Sequence, residues 1–147
     1  IFHKSNPQNW EKVLAVNLNG VYNTCRAILP IMRKNNYGRI INIASVVAQK
    51  GTPGTASYAA SKAALSGLVK TLAIENAKYN ITVNNLNLGY FNAGMINDVP
   101  KEILDNIKKN IPAQRLGEPK EVFNAIEFLV NTPYVNGTSI DINGAYY

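Results

Sequence analysis

The sequence contains little cysteine and little histidine. Cys25 is the only cysteine and His3 the only histidine among 147 residues, so no disulfide can form within the chain, and no metal site is predicted. The single cysteine favours a cytoplasmic protein, where thiols stay reduced. The sequence also lacks an apolar run of about 18 residues and a signal-peptide pattern, so no membrane partner is predicted.

Charged residues are few, and they are not concentrated in one part of the chain. They make up 16% of the sequence against 46% hydrophobic residues, which excludes a disordered polar tail and indicates one globular domain over residues 1–147. The net charge of +6 comes from scattered lysines and arginines, with adjacent pairs only at Arg33-Lys34 and Lys108-Lys109. Nucleic-acid binding is therefore not predicted, because it requires positive charge gathered on one face.

Helical and strand patterns alternate along the chain. Apolar residues recur every three or four positions in the helical stretches, and short β-branched runs are typical of buried strands. This order is typical of a parallel sheet with crossover helices, so the sequence predicts the α/β class. The predicted elements are helix 7–35, strand 39–45, a loop over 46–57, helix 57–79, strand 81–89, a lid excursion over about 90–118 with a short helix at 101–109, a helix from Pro119 and a final strand around Ile140 and Ile142.

The predicted sheet is thin. Three parallel strands buried on both faces would leave an apolar edge bare. The chain also begins with Ile1 rather than Met and runs directly into a helix start. We therefore expect these residues to form the carboxyl-terminal part of a longer protein.

The stretch SYAASKAAL places Tyr58 and Lys62 four residues apart on a predicted helix, so the two side chains share a face. A phenol has a pKa near 10, but an ammonium at about 4 Å in an effective dielectric of about 20 favours the phenolate by up to about 4 kcal/mol. The pair is therefore a candidate for proton exchange near neutral pH. The alternative is a packed tyrosine beside a solvated lysine.

Two further polar residues lie where they could reach the same site. Ser45 ends the strand RIINIAS, and ligands of open α/β sheets sit beyond the carboxyl ends of the strands. Asn17 falls on the apolar stripe of the first helix, where a buried amide needs partners. For Asn17 the alternative is a purely structural bond to nearby backbone.

Four stretches carry a resemblance to a known family. VNLNGVYNT, GRIINIAS, YAASK and ITVNNLNLG, in this order and spacing, resemble the short-chain dehydrogenase/reductase family. The likeness continues through IPAQRLGEPKEV and YVNGTSIDINGAYY, so it covers essentially the whole chain. It implies the carboxyl-terminal half of a Rossmann-type doubly wound parallel sheet, here with three strands, three long helices and a lid helix.

The resemblance also implies roles for the candidate residues. Tyr58 would be the general acid in ketone reduction, and Lys62 would lower its pKa and hold the nicotinamide ribose. Ser45 would hydrogen-bond the substrate oxygen, and Asn17 would hold a water that connects Lys62 to solvent. The implied cofactor is NADP or NAD, with NADP preferred, and the implied partner is a small-molecule carbonyl substrate.

The cofactor region departs from the family pattern. The Gly-rich dinucleotide loop is absent, since no G-x-x-x-G-x-G occurs in the sequence. The family's Pro-Gly is Leu88-Gly89 here, and Ala93 replaces a threonine, which costs one side-chain hydrogen bond of about 1 kcal/mol. Backbone groups of Gly89 and Phe91 are expected to contact the cofactor instead.

Two hypotheses follow for function. The first is a reductase of 3-oxoacyl thioesters, because the excursion over about 90–118 resembles the lid of such enzymes. Asn36 and Tyr79 stand where carrier-protein reductases of the family often have arginines. This difference favours coenzyme A esters or free ketones as substrates. The second is a truncated, non-catalytic fragment that retains the family's dimerisation helices. In both, helices 7–35 and 57–79 would form a homo-oligomer, by family habit a tetramer, and this chain alone is expected to be inactive.

Overall fold

The computed structural model describes residues 1–147, except for the side chain of Met95. Helical segments and strands alternate, as predicted, with two α-helices before each strand. The helices are α1 (Pro7–Leu14), α2 (Gly20–Lys34), α3 (Val47–Lys50), α4 (Ala56–Asn76), α5 (Lys101–Asn110) and α6 (Pro119–Asn131), and the strands are β1 (Gly38–Ser45), β2 (Ile81–Leu88) and β3 (Ser139–Ile142). Short 3-10 turns occupy Phe2–Lys4, Ala77–Tyr79 and Gly94–Asp98.

The first predicted helix is one helical unit with an irregular turn inside it. Asn6 caps α1 by accepting the Gln8 amide at 2.8 Å, and Pro7 occupies the first turn, where its missing N–H costs nothing. Between α1 and α2, residues Ala15–Asn19 form a π-helical turn. The backbone remains helical from Pro7 to Lys34, close to the predicted bounds.

The three strands form one parallel sheet in the order β1-β2-β3. Their carboxyl ends lie in register, with Ser45 opposite Leu88 and Leu88 opposite Ile142. Val69 and Ala73 of α4 pack on Ile81 and Val83 of β2 to form the core on one face. This arrangement confirms the predicted α/β class.

The connections after β1 and after β2 contain structure that the sequence did not predict. The predicted loop over 46–57 was wrong in part, because Val47–Lys50 forms the short helix α3. The excursion after β2 is closed at its base, where Phe91 pairs with Gly117 in an isolated bridge and the Asn92 amide donates to the Gly117 carbonyl at 2.8 Å. None of the helices, within the residues described, is long and apolar enough to cross a membrane.

Candidate functional site

The helix α4 carries the predicted pair on its first two turns. Its opening sequence, ASYAASKAAL, is rich in alanine, which favours helix and leaves space around the larger side chains. The Nζ atom of Lys62 lies 5.7 Å from the centroid of the Tyr58 ring. The two residues predicted to share a face therefore lie side by side.

Lys62 reaches from α4 to the sheet. Its Nζ donates to the backbone carbonyl of Ile43 in β1 at 2.7 Å. Burial disfavours the charged form and lowers the pKa of Lys62 from its ordinary value. The bond to Ile43 fixes the ammonium near the end of β1 and leaves two of its three N–H donors for other groups.

Asn17 is tied to α4 through a residue that the sequence did not single out. Its Nδ2 donates to Ser61 Oγ at 3.3 Å, and Ser61 Oγ donates in turn to the Tyr58 carbonyl at 2.7 Å. Ser61 is fully buried. Asn17 itself lies in the π-helical turn, a distortion that is frequent at functional sites.

Ser45 occupies the last position of β1 and is buried. Its Oγ accepts the amide proton of Val47 at 3.2 Å, a local bond of the kind that starts a turn after a strand. Because the oxygen accepts here, the hydroxyl proton remains available for donation to another atom.

Gly89 and Phe91 follow β2. The Gly89 amide donates to the Ile142 carbonyl at 3.0 Å, so its own carbonyl is the group left for a ligand. A Cβ at Gly89 would lie only 2.8 Å from the Cα of Asn143, which explains why glycine stands where β2 and β3 end so close together. Phe91 packs its ring against Gly117, where a Cβ would lie 2.5 Å from the ring.

The structure thus joins Asn17, Tyr58 and Lys62 through α4. Within the described residues, no hydrogen bond connects Ser45 directly to any of these three. Ser61 was missed because a serine inside an alanine-rich helix resembles any other small residue. The signal that could have found it is its spacing of three from Tyr58, which lets a helical serine bond a carbonyl of the preceding turn.

The side chains present fit one end of a nicotinamide cofactor. The free N–H donors of Lys62 suit the hydroxyls of a ribose, and such a cofactor supplies a hydride. The sequence holds no G-x-x-x-G-x-G loop, the motif that binds the phosphates of such a cofactor. Among the described residues there is also no group of three or more His, Cys, Asp or Glu side chains that could hold a metal ion.

Comparison with known proteins identifies the family. A family model described as enoyl-(acyl carrier protein) reductase matches residues 1–146. The chain belongs to the short-chain dehydrogenase/reductase family, as its motifs indicated.

Individual relatives agree with this assignment. The chain is 41% identical over 150 residues to the acetoacetyl-CoA reductase of Rhizobium meliloti strain 1021, covering 100% of this chain and 62% of the relative. It is 37% identical over 142 residues to a 3-oxoacyl-(acyl-carrier-protein) reductase of Staphylococcus epidermidis, covering 95% and 58%.

A solved structure gives the same result for the fold. The crystal structure of 3-oxoacyl-(acyl-carrier protein) reductase from Brucella melitensis superposes with a TM-score of 0.92 at 35% identity, covering 98% of this chain and 55% of that one. The chain therefore spans little more than half of this structure and about 60% of the curated relatives.

Proposed function

We propose that the chain is the catalytic part of an NAD(P)-dependent oxidoreductase that reduces a ketone, in particular a 3-oxoacyl thioester, to a secondary alcohol. The observation that carries this proposal is the placement of Lys62, half-buried beside Tyr58 and bonded to the end of β1. A cation held there stabilises the phenolate that remains when a tyrosine gives up its proton. The names of the relatives support the substrate class.

In this mechanism Tyr58 donates its hydroxyl proton to the carbonyl oxygen of the substrate. Ser45 donates its own hydroxyl hydrogen to the same oxygen and stabilises the negative charge that develops there. The Oδ1 of Asn17 would hold a water on the route that returns a proton, since Nδ2 is engaged with Ser61. Lys62 and the backbone of Gly89 and Phe91 would hold the nicotinamide end of NADP or NAD, and NADP is preferred.

The excursion over residues 90–118 would act as a lid over the acyl chain. Its base is closed by the contact of Phe91 with Gly117, while Gly94–Asp98 and α5 form its outer part. Such a segment can move against a fixed base and exclude water from a bound substrate.

We also propose that copies of the chain associate through the helical region 7–35 and α4. Tyr22, Ile31 and Ile74 expose large apolar side chains on these helices. A groove of about 340 Å³ lies between α2 and α4, with mainly apolar walls. The proposed enzyme is a cytoplasmic homotetramer that acts on small molecules and has no nucleic acid or membrane partner.

The decisive test is the turnover of acetoacetyl-CoA with NADPH and with NADH by the longest native polypeptide that contains these 147 residues. Tyr58→Phe should lower kcat at least about a hundredfold, because it removes the general acid. The control is Tyr134→Phe, since Tyr134 is 100% exposed. Full turnover by Tyr58→Phe would reject the proposed mechanism.

A second candidate function has its own support. The apolar groove between α2 and α4 would let copies of the chain associate without any cofactor, so the alternative is a truncated, non-catalytic fragment that associates through the same helices. For the 147-residue chain we expect dimers or tetramers by sedimentation and no NADPH binding by fluorescence titration. Micromolar NADPH binding would contradict the fragment hypothesis.

A further inference from the structure

Asp141 connects three elements of the fold. It lies in β3, and its Oδ1 accepts Asn87 Nδ2 of β2 at 2.7 Å. Its carboxylate also accepts Gln49 Nε2 of α3, at 3.1 Å to Oδ1 and 3.3 Å to Oδ2. Because β2 separates β3 from β1, this carboxylate reaches across the middle strand to the segment that follows β1.

The neighbouring residue of α3 is held by the end of the chain. Lys50 Nζ lies 3.5 Å from the centroid of the Tyr146 ring, and Tyr146 packs on Tyr90 with ring centroids 5.7 Å apart. A tight turn with positive φ at Gly144 and Ala145 folds the chain end back to make these contacts. The last two residues of α3 are therefore both fixed by residues about ninety positions further along the sequence.

The first residue of α3 is in contact with Ser45. The Val47 amide donates to Ser45 Oγ, and this bond keeps the hydroxyl hydrogen from pointing toward the Val47 nitrogen. A helix of only four residues does not hold its own shape in water, so its position depends on tertiary contacts.

We propose that Asp141 and Tyr146 are positioning residues for Ser45. By contacting Gln49 and Lys50, they hold α3 against the sheet and keep the Val47 amide on Ser45 Oγ, which leaves the hydroxyl hydrogen for donation to a ligand oxygen. The catalytic consequence rests on the proposed function, whereas the mechanical connection between β3 and α3 does not.

The mechanical connection can be tested by amide hydrogen exchange on the longest native polypeptide that contains these 147 residues. The amides of Gln49, Lys50 and Gly51, which donate to the carbonyls of Val46 and Val47, report on α3. Asp141→Ala should speed their exchange about fivefold or more, because α3 can then open locally without breaking the charge-assisted bonds to Asp141.

Two matched controls separate this effect from general destabilisation. Glu127→Ala removes an exposed carboxylate on α6, and Tyr147→Leu changes the residue beside Tyr146. Tyr146→Leu should also speed exchange in α3, while neither control should. Unchanged exchange in both Asp141→Ala and Tyr146→Leu would overturn the proposal.

A double-mutant cycle tests the catalytic consequence in the longest native polypeptide. Asp141→Ala should lower kcat more than it raises KM, and it should have no further effect on kcat once Ser45→Ala is present, because it acts through Ser45. Losses that multiply in the double variant would overturn this part. If the wild-type protein reduces no 3-oxoacyl substrate, the proposed function fails, and the exchange experiment still decides whether Asp141 and Tyr146 hold α3.

Discussion

The strands β1 and β2 are equal in length and pair along all eight residues, yet their environments differ. β2 has a strand on each side, and seven of its eight residues are buried. Within the part of the chain that the structure describes, β1 has a strand on one side only, and a groove of about 690 Å³ runs along it, lined mainly by apolar residues of β1 and α2. The comparison shows that burial is concentrated in β2, while β1 presents an open, apolar edge in the described residues.

The buried strand is also the more polar one. Asn84 donates Nδ2 to the Val135 carbonyl at 2.9 Å and accepts the Thr138 amide at 3.1 Å. Asn85 bonds to Asn42 and Ser139 on the flanking strands, both at 3.2 Å. These amides tolerate burial because each has partners, and they fix β2 to its neighbours.

The largest expected difference is in packing. Leu86 and Ile43 are opposite each other in the sheet, but Leu86 is 0% exposed and Ile43 44%. Leu86→Ala should lower the free energy of unfolding by about 3 kcal/mol, because it leaves a cavity. Ile43→Ala should cost about 1 kcal/mol. Urea unfolding of both variants measures this, and equal losses would break the contrast between the strands.

The next contrast concerns buried amides. Asn84→Ala leaves the Val135 carbonyl and the Thr138 amide without their partner, and we expect it to cost about 2 kcal/mol. Asn42→Ala on β1 loses one bond, to Asn85, and should cost about 1 kcal/mol. Asn124→Ala, at an exposed position of α6, is the control. Urea unfolding measures these losses of unfolding free energy, and a larger loss for Asn42→Ala than for Asn84→Ala would contradict the prediction.

The smallest effect is expected at the end of β1, where Lys62 binds the Ile43 carbonyl. Burial lowers the pKa of Lys62 below its unfolded value of 10.5, so the folded chain loses this proton first as the pH rises. Between the folded pKa and 10.5, the stability of wild type relative to Lys62→Met should therefore increase with pH.

Thermal unfolding at several pH values, with Lys70→Met on the exposed side of α4 as control, measures this difference. A difference between wild type and Lys62→Met that stays flat through the alkaline range would show that Lys62 has an unshifted pKa.

Much of the fold could be predicted from local pattern. The strands over 39–45 and 81–89 and the helix from Pro119 are found within about one residue, because β-branched runs and caps mark them. The helix α3 could not be predicted, since Asp141 and Tyr146, which hold it, lie far away in sequence. The π-helical turn Ala15–Asn19 was not predicted either, because its sequence, AVNLN, continues the helical pattern on both sides without a break.

The site was predictable to a similar degree. The spacing of Tyr58 and Lys62 on one helix face follows from helical geometry alone. The bond from Lys62 to the Ile43 carbonyl depends on how α4 lies on the sheet, and the bond from Asn17 to Ser61 depends on how the π-helical turn approaches α4. Such contacts between distant segments leave no local signal. The roles of Asn17, Ser45, Tyr58 and Lys62 remain predictions.

The π-helical turn at Ala15–Asn19 also has a consequence for the shape of the first helical unit. One extra residue in a helical turn offsets the side chains before and after it by about 100°. α1 can thereby face α4 while α2 faces β1, without a break in the backbone. Deleting one residue from this turn would rotate α1 relative to α2. The helical unit could then pack against α4 or against β1, but not against both.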